Sequence, residues 1–157
     1  MLATLALVLA LARVAPERSY SQHMRDSLSF AHVPVLLPTE LPKALGVAAN
    51  KPYVQAVLRT SYVVSWNGVP NCDIPSCVEF SVVGGAEADT SPAARNVRLD
   101  RTTIAKYSAF RCPMGRCQPE TLTFERGGVR YEFISKTGAG MAALRTVFRS
   151  LQPLRSK

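Results

Sequence analysis

The sequence predicts an α+β domain: an antiparallel sheet of about five to six strands with a C-terminal amphipathic helix packed on one face. Three observations carry this. Short segments rich in β-branched and aromatic residues recur between turn signals, as at Tyr53–Leu58 and Ser61–Trp66. Several of them alternate apolar and polar residues with period two, the pattern of a half-buried strand. A helical stripe closes the chain, where Met141, Leu144, Phe148 and Leu151 repeat at spacings of three, four and three. The chain has 157 residues, which suits one domain, and its 47% hydrophobic content suits an ordinary globular core.

The elements follow in order. Residues 1–12 are almost all Leu, Ala and Val and carry no charge, too short for a membrane span. They read as the apolar part of an export signal, with Ala10-Leu11-Ala12 as a small-x-small cleavage site, although no Lys or Arg precedes them. A buried N-terminal helix is the competing reading. Residues 13–31 are polar and unpatterned and read as a linker, so a single globular domain spans 32–153. Val33-Pro34-Val35-Leu36-Leu37-Pro38 is an extended edge segment, because its prolines cannot donate to a central ladder. Thr39-Glu40-Leu41-Pro42 is a turn, and Lys43–Ala49 a short helical turn. Val78-Glu79-Phe80-Ser81-Val82 alternates and ends at Gly84-Gly85. Residues 86–96 read as an exposed loop, Val97–Leu99 as a short strand, and Tyr107–Arg111 as another. Leu122 and Phe124 alternate with Thr121, Thr123 and Glu125; Gly127-Gly128 turns the chain, and Val129, Tyr131 and Phe133 alternate on the return. The final helix is stopped by Pro153.

Four cysteines stand in two C-x4-C frames, Cys72–Cys77 and Cys112–Cys117. Four allow three disulfide connectivities. Pro75 and Pro113 bend each insert, which favours the two local pairs as staples on tight turns. The competing reading is one zinc ion held by Cys72, Cys77, Cys112 and Cys117. The 34 residues between the pairs exceed the roughly 15–20 of a zinc ribbon, and the apolar leader points to an oxidising compartment. No redox C-x-x-C occurs. The two frames, each between strands and each leading to a Gly-Gly about 40 residues apart, form a weak internal echo.

The formal charge is +8, spread over scattered Arg and Lys without a basic run, which argues against a nucleic-acid tail. Residues 95–130 are the most basic stretch. Within it Tyr107, Arg111 and Arg116, with Trp66, make a candidate binding surface for an envelope protein, a polymer or an anionic surface. At these spacings the same aromatics, with Tyr62 and Phe110, are more often core or sheet-face residues. Gly138-Ala139-Gly140-Met141-Ala142-Ala143 matches G-x-G-x-x-A, but only 14 residues follow it, too few for a second parallel strand. His23 and His32, in or beside the polar segment, are weak ligand candidates, and no Ser-His or Cys-His engine is visible. Glu79, Glu125 and Glu132 occupy polar strand positions, where solvated carboxylates are ordinary. No catalytic residue is assigned, and neither cofactor nor metal is expected apart from the zinc alternative.

An apolar leader, the Pro-flanked Val33–Pro38 segment, the paired C-x4-C turns, Gly128-Val129-Arg130-Tyr131 and a helix ending at Ser150-Leu151 come in an order that resembles a loose set of uncharacterised exported bacterial domains, PsbP-like in layout. The resemblance covers about residues 33–152. It implies an α+β fold and an exported, secreted or periplasmic, non-enzymatic module, and it carries over no site residues. The expectation is a disulfide-stabilised binding module. The alternative is an intracellular zinc module that contacts nucleic acid through its Arg-rich half.

Overall fold

The computed structural model describes residues 20–47, 52–69, 72, 75–87 and 94–154. The apolar segment 1–12 and residues 88–93 of the expected loop lie outside the described residues.

The chain enters through helix α1 (Gln22–Leu28), capped where the Ser21 hydroxyl accepts from the Met24 amide. Strand β1 (Leu36–Pro38) and a 3-10 turn (Lys43–Leu45) follow, the turn closing on Gly46 at φ +66°. Strands β2 (Pro52–Leu58), β3 (Ser61–Asn67), β4 (Val78–Gly84), β5 (Arg95–Arg98), β6 (Ile104–Ser108), β7 (Glu120–Arg126) and β8 (Val129–Ser135) precede helix α2 (Met141–Arg149) and strand β9 (Leu151–Pro153).

Strands β2 to β8 form one antiparallel sheet of seven, in the order β2-β3-β4-β8-β7-β6-β5. Two meanders, β2-β3-β4 and β5-β6-β7-β8, meet where β8 pairs with β4. The sheet exceeds the expected five to six strands because the short segments around Val97–Leu99 and Tyr107 both pair, as β5 and β6. Strand β6 starts earlier than expected, at Ile104 rather than Tyr107, and Phe110 and Arg111 leave the ladder for the second cysteine loop. With two helices beside this sheet, the α+β class stands.

Two expectations change. Residues 13–31 are not all linker: α1 buries Met24 and Leu28 in the same hydrophobic cluster as the sheet, so the packed unit begins no later than Tyr20. The spacing of four from Tyr20 to Met24 to Leu28 was hidden by the polar residues around it. The final helix is not the last element either. It stops at Arg149, and Leu151, read as part of its stripe, lies in β9. Strand β9 pairs antiparallel with β1, Leu36 opposite Pro153 and Pro38 opposite Leu151, as a separate two-stranded ribbon. Pairing between segments more than a hundred residues apart leaves no local trace in sequence.

One sheet face supplies the core. Trp66 stands opposite Phe80, Val82 opposite Phe133, Leu122 opposite Phe133 and Phe124 opposite Tyr131. The rings make a chain: Trp66–Phe80 at 5.6 Å, Phe80–Phe133 at 5.8 Å, Phe133–Phe124 at 5.2 Å and Phe124–Phe148 of α2 at 5.0 Å, edge to face. Helix α2 adds Ala143, Leu144 and Val147, all buried.

Tyrosines solve a polar problem in this core. The 34–38 segment has prolines at both ends and is buried at Leu36 and Leu37, so its backbone needs partners beyond its short ladder. The Tyr62 hydroxyl donates to the Leu36 carbonyl (3.0 Å) and accepts from the Leu36 amide (2.9 Å). Tyr131 donates to the Pro34 carbonyl and Tyr20 to the Pro38 carbonyl. Three hydroxyls thus moor one Pro-bounded segment.

Candidate functional site

Both cysteine frames close locally, Cys72 with Cys77 and Cys112 with Cys117. The Cα atoms are 6.1 and 3.9 Å apart. This pairing disfavours the tetrathiolate zinc reading, since a sulfur joined in a disulfide is no longer a thiolate ligand. Among the described residues no group of three or more His, Cys, Asp or Glu is placed to hold a metal ion.

Topology brings the two staples to one end of the sheet. Each lies in a connection that precedes a strand, β4 or β7, and both strands are antiparallel neighbours of β8, so they run the same way. The β8–α2 connection, 136–140, leaves from that same end. The echo seen in sequence is therefore spatial: two stapled loops flank the exit of β8. The first is tied inward, because the Gly68 amide donates to the Cys77 carbonyl and Asn67 Nδ2 donates to the Cys72 carbonyl.

The second loop projects. Every residue from Ala109 to Pro119 is exposed. Its stem is a single bridge in which Arg111 and Gln118 exchange both backbone hydrogen bonds, 3.3 and 2.7 Å. Inside it lie the disulfide and a 3-10 turn, Pro113–Gly115. At the tip Met114 is fully exposed, at 100%, and has φ +48°. Among the described residues it alone of the non-glycines has positive φ, a conformation that costs an ordinary side chain about 1 kcal/mol. Gly115 beside it has φ +75°, which its missing Cβ allows. A large apolar side chain is held outward on a closed ring, flanked in sequence by Arg111 and Arg116, whose guanidiniums have no partner among the described residues. The loop contains no carboxylate.

Under this loop lies a buried, hydrogen-bonded carboxylate. Glu120, 1% exposed, opens β7 and accepts the Tyr107 hydroxyl at 2.6 Å. Both of its carboxylate oxygens also accept the Gly140 amide, at 3.1 Å each. Burial, then the bond to Glu120 and its negative charge, push the Tyr107 hydroxyl up to about 12, and the Arg95 guanidinium 5.4 Å from the ring pulls slightly the other way. Gly140 is the N-cap residue of α2, and its amide donates to Glu120, so the chain's own carboxylate stands at that helix start. This accounts for Gly138-Ala139-Gly140: Gly138 at φ +64° lies against the Phe110 ring, where a Cβ would come within 3.1–3.4 Å, and no phosphate cradle exists there.

Comparison with protein-family models, with curated proteins and with solved structures gives no match. Function therefore rests on geometry alone.

The candidate surface of Trp66, Tyr107, Arg111 and Arg116 divides. Trp66 (1% exposed) and Tyr107 (7%) belong to the core, so they cannot stack a ligand; only Arg111 and Arg116 face solvent. Phe110, partly exposed, stays at the loop base. The carboxylates do not assemble either. Glu79 and Glu132 lie on β4 and β8, and Glu125 is engaged by Arg130 at 3.1 Å. Sequence reasoning missed Met114, although Pro-Met-Gly inside a closed cysteine pair was the available signal.

Proposed function

We infer that this is an exported, disulfide-stabilised, non-catalytic module that attaches to an anionic surface through the loop 109–119. One observation carries the reading: a fully exposed methionine is held at the tip of a stapled loop between two unpaired arginines. The arrangement suits lipid headgroups, where the arginines meet phosphates and the thioether enters the acyl boundary. The staple lowers the entropic cost of docking, because the loop is already in its bound shape. Two disulfides fit an oxidising compartment, and the apolar segment 1–12 fits delivery to it. The PsbP-like order of elements in exported domains agrees with the same reading.

The test is co-sedimentation of the oxidised protein with vesicles of phosphatidylglycerol and phosphatidylcholine, compared with phosphatidylcholine alone. Binding to the anionic vesicles, weakened by salt and by the double replacement Arg111→Gln with Arg116→Gln, is expected. Met114→Ser should weaken it further without altering the salt dependence. Equal partition to both vesicle types, or indifference to the arginine replacements, sinks the reading.

A further inference from the structure

The seven-stranded sheet has two edges, β2 and β5. An edge strand exposes unpaired amides and carbonyls, and a fold has to manage them. Strand β2 starts at Pro52, carries a bulge between Val54 and Ala56 and has α1 packed beside it. Among the described residues β5 has none of these devices. Arg95-Asn96-Val97-Arg98 pairs in unbroken register with β6, and Arg95, Asn96 and Arg98 are exposed. The direction of its free groups follows from its turn. The Leu99 amide donates to the Thr103 carbonyl at 3.0 Å, so these two form a hydrogen-bonded pair. Such pairs recur at every second residue of an antiparallel ladder. Val97–Ala105 and Arg95–Tyr107 are therefore the next two, and the amides and carbonyls of Asn96 and Arg98 point away from β6. The Arg98 carbonyl accepts from Arg145 Nη2 of α2 at 3.0 Å. The Asn96 amide, the Asn96 carbonyl and the Arg98 amide meet no partner among the described residues.

Cations flank this edge on both faces. Arg95 shares the inner face with Tyr107 and lies over its ring at 5.4 Å. Arg98 is on the opposite face, and its Nη1 donates to the Arg101 carbonyl at 3.1 Å. Arg145 closes the end of the strand. None of Arg95, Arg98, Arg101 and Arg145 is in an ion pair among the described residues. Asp100 is the one carboxylate between residues 94 and 119, and it already accepts the Thr102 and Thr103 amides at 2.8 and 2.7 Å. A second copy is disfavoured here, because pairing two β5 edges would bring their arginines together. The same charge favours an anionic strand.

We propose that β5 is the docking edge for an extended acidic peptide, which adds to the sheet as an eighth strand. The peptide backbone takes the Asn96 amide and carbonyl and the Arg98 amide, and Arg145 marks where the pairing stops. Its side chains alternate between the two faces. Those on the inner face meet Arg95 and Val97, and those on the outer face meet Asn96 and Arg98. The preferred strand therefore carries an acid beside Arg95, an apolar residue beside Val97 and a second acid beside Arg98. The edge is separate from the loop 109–119 and independent of vesicle binding.

Fluorescence anisotropy of a labelled, end-capped heptapeptide of Glu, Val and Thr, titrated with the oxidised protein, tests this. Saturable binding is expected, and none for the same peptide with Lys in place of Glu. Asn96→Pro removes an outward amide and no charge, and the ladder to β6 does not use that amide. It should weaken binding about tenfold, the loss of a backbone bond and of close approach. Arg98→Gln should weaken it several-fold. A peptide N-methylated at two adjacent central residues, one amide on each of its edges, should also bind about tenfold more weakly to the unaltered protein. That comparison decides the matter even where Asn96→Pro lowers the melting temperature. Arg111→Gln should leave peptide binding unchanged, so a failure here is distinct from a failure of the vesicle experiment. Absence of saturable binding, or equal binding of the N-methylated peptide, overturns the proposal; the second result would mean diffuse attraction to a chain of charge +8. A thymidine oligonucleotide that binds as tightly as the acidic peptide also overturns it, since it offers no strand to pair.

Discussion

Tyr62 shows how one side chain makes a segment foldable. Its hydroxyl serves both the amide and the carbonyl of Leu36 in a buried place. Tyr62→Phe removes it and leaves two backbone groups without that partner, which should cost about 1–3 kcal/mol. Tyr131→Phe removes a single bond, to Pro34, and should cost less. Urea unfolding of the two variants measures the difference, and equal losses would contradict the double role. Glu120 is a second such residue. Glu120→Gln keeps an acceptor for Tyr107 but gives up the charge at the start of α2, and Glu120→Ala leaves both donors unpaired. A loss of about 1–3 kcal/mol is expected for Ala and a smaller one for Gln, read from the same unfolding curves. Both residues sat in plain view in the sequence. A strand tyrosine gives no sign of which carbonyl it will meet, and Glu120 looked like any strand-end carboxylate until α2 came to rest beside it.

The element that matters most is the loop 109–119. Its ring should stabilise the protein by about 2 kcal/mol, the chain-entropy value for closing a short loop. Replacing Cys112 and Cys117 together by Ser should lower stability by that amount. It should weaken vesicle binding as well, because the freed loop must then be ordered on docking. Met114→Gly separates shape from contact: it relieves the positive φ, so stability should hold or rise, while vesicle binding falls. A Met114→Gly protein that binds as well as the parent would show that the side chain is not the anchor. The loop was half legible. The cysteine frame and Pro113 announced a closed turn, and of the candidate surface Arg111 and Arg116 are the residues that face solvent. Trp66 and Tyr107 were grouped with them as aromatics that could stack a ligand beside the arginines. Strand alternation then turned both rings to the buried face, and a strand fixes facing by register, not by distance along the chain.

At the scale of the whole molecule, the buried tyrosines set an alkaline limit. Burial raises the hydroxyls of Tyr20, Tyr62, Tyr107 and Tyr131 above the usual value near 10. The folded state therefore holds protons that the unfolded chain releases. Their contribution is complete below about pH 10 and is lost as pH rises through the folded values, about 12 at Tyr107. Thermal melts from pH 8 upward should show a falling midpoint that begins near pH 10, together with delayed tyrosinate absorbance. A midpoint flat to pH 12 would contradict this. Acid has the opposite sign at Asp100, whose carboxyl is held down in the fold by the Thr102 and Thr103 amides. That exposed turn is lost only as pH falls below the ordinary carboxylate range.

By itself the sequence determined what local chemistry can determine. It set the strand segments with period-two patterning, the Gly127-Gly128 hairpin, the two closed cysteine frames and the amphipathic run from Met141. Each of these is written within about ten residues, because side-chain direction and turn geometry repeat at short range. The tertiary structure alone decided which strands are neighbours, that β1 and β9 pair across nearly the whole domain, and that α1 joins the core. It also decided that Glu120 closes α2, that both staples share one end of the sheet, and that β5 is left as an open edge. Those are relations between segments far apart in the chain. They follow from how apolar faces are jointly buried, and no single segment carries that information.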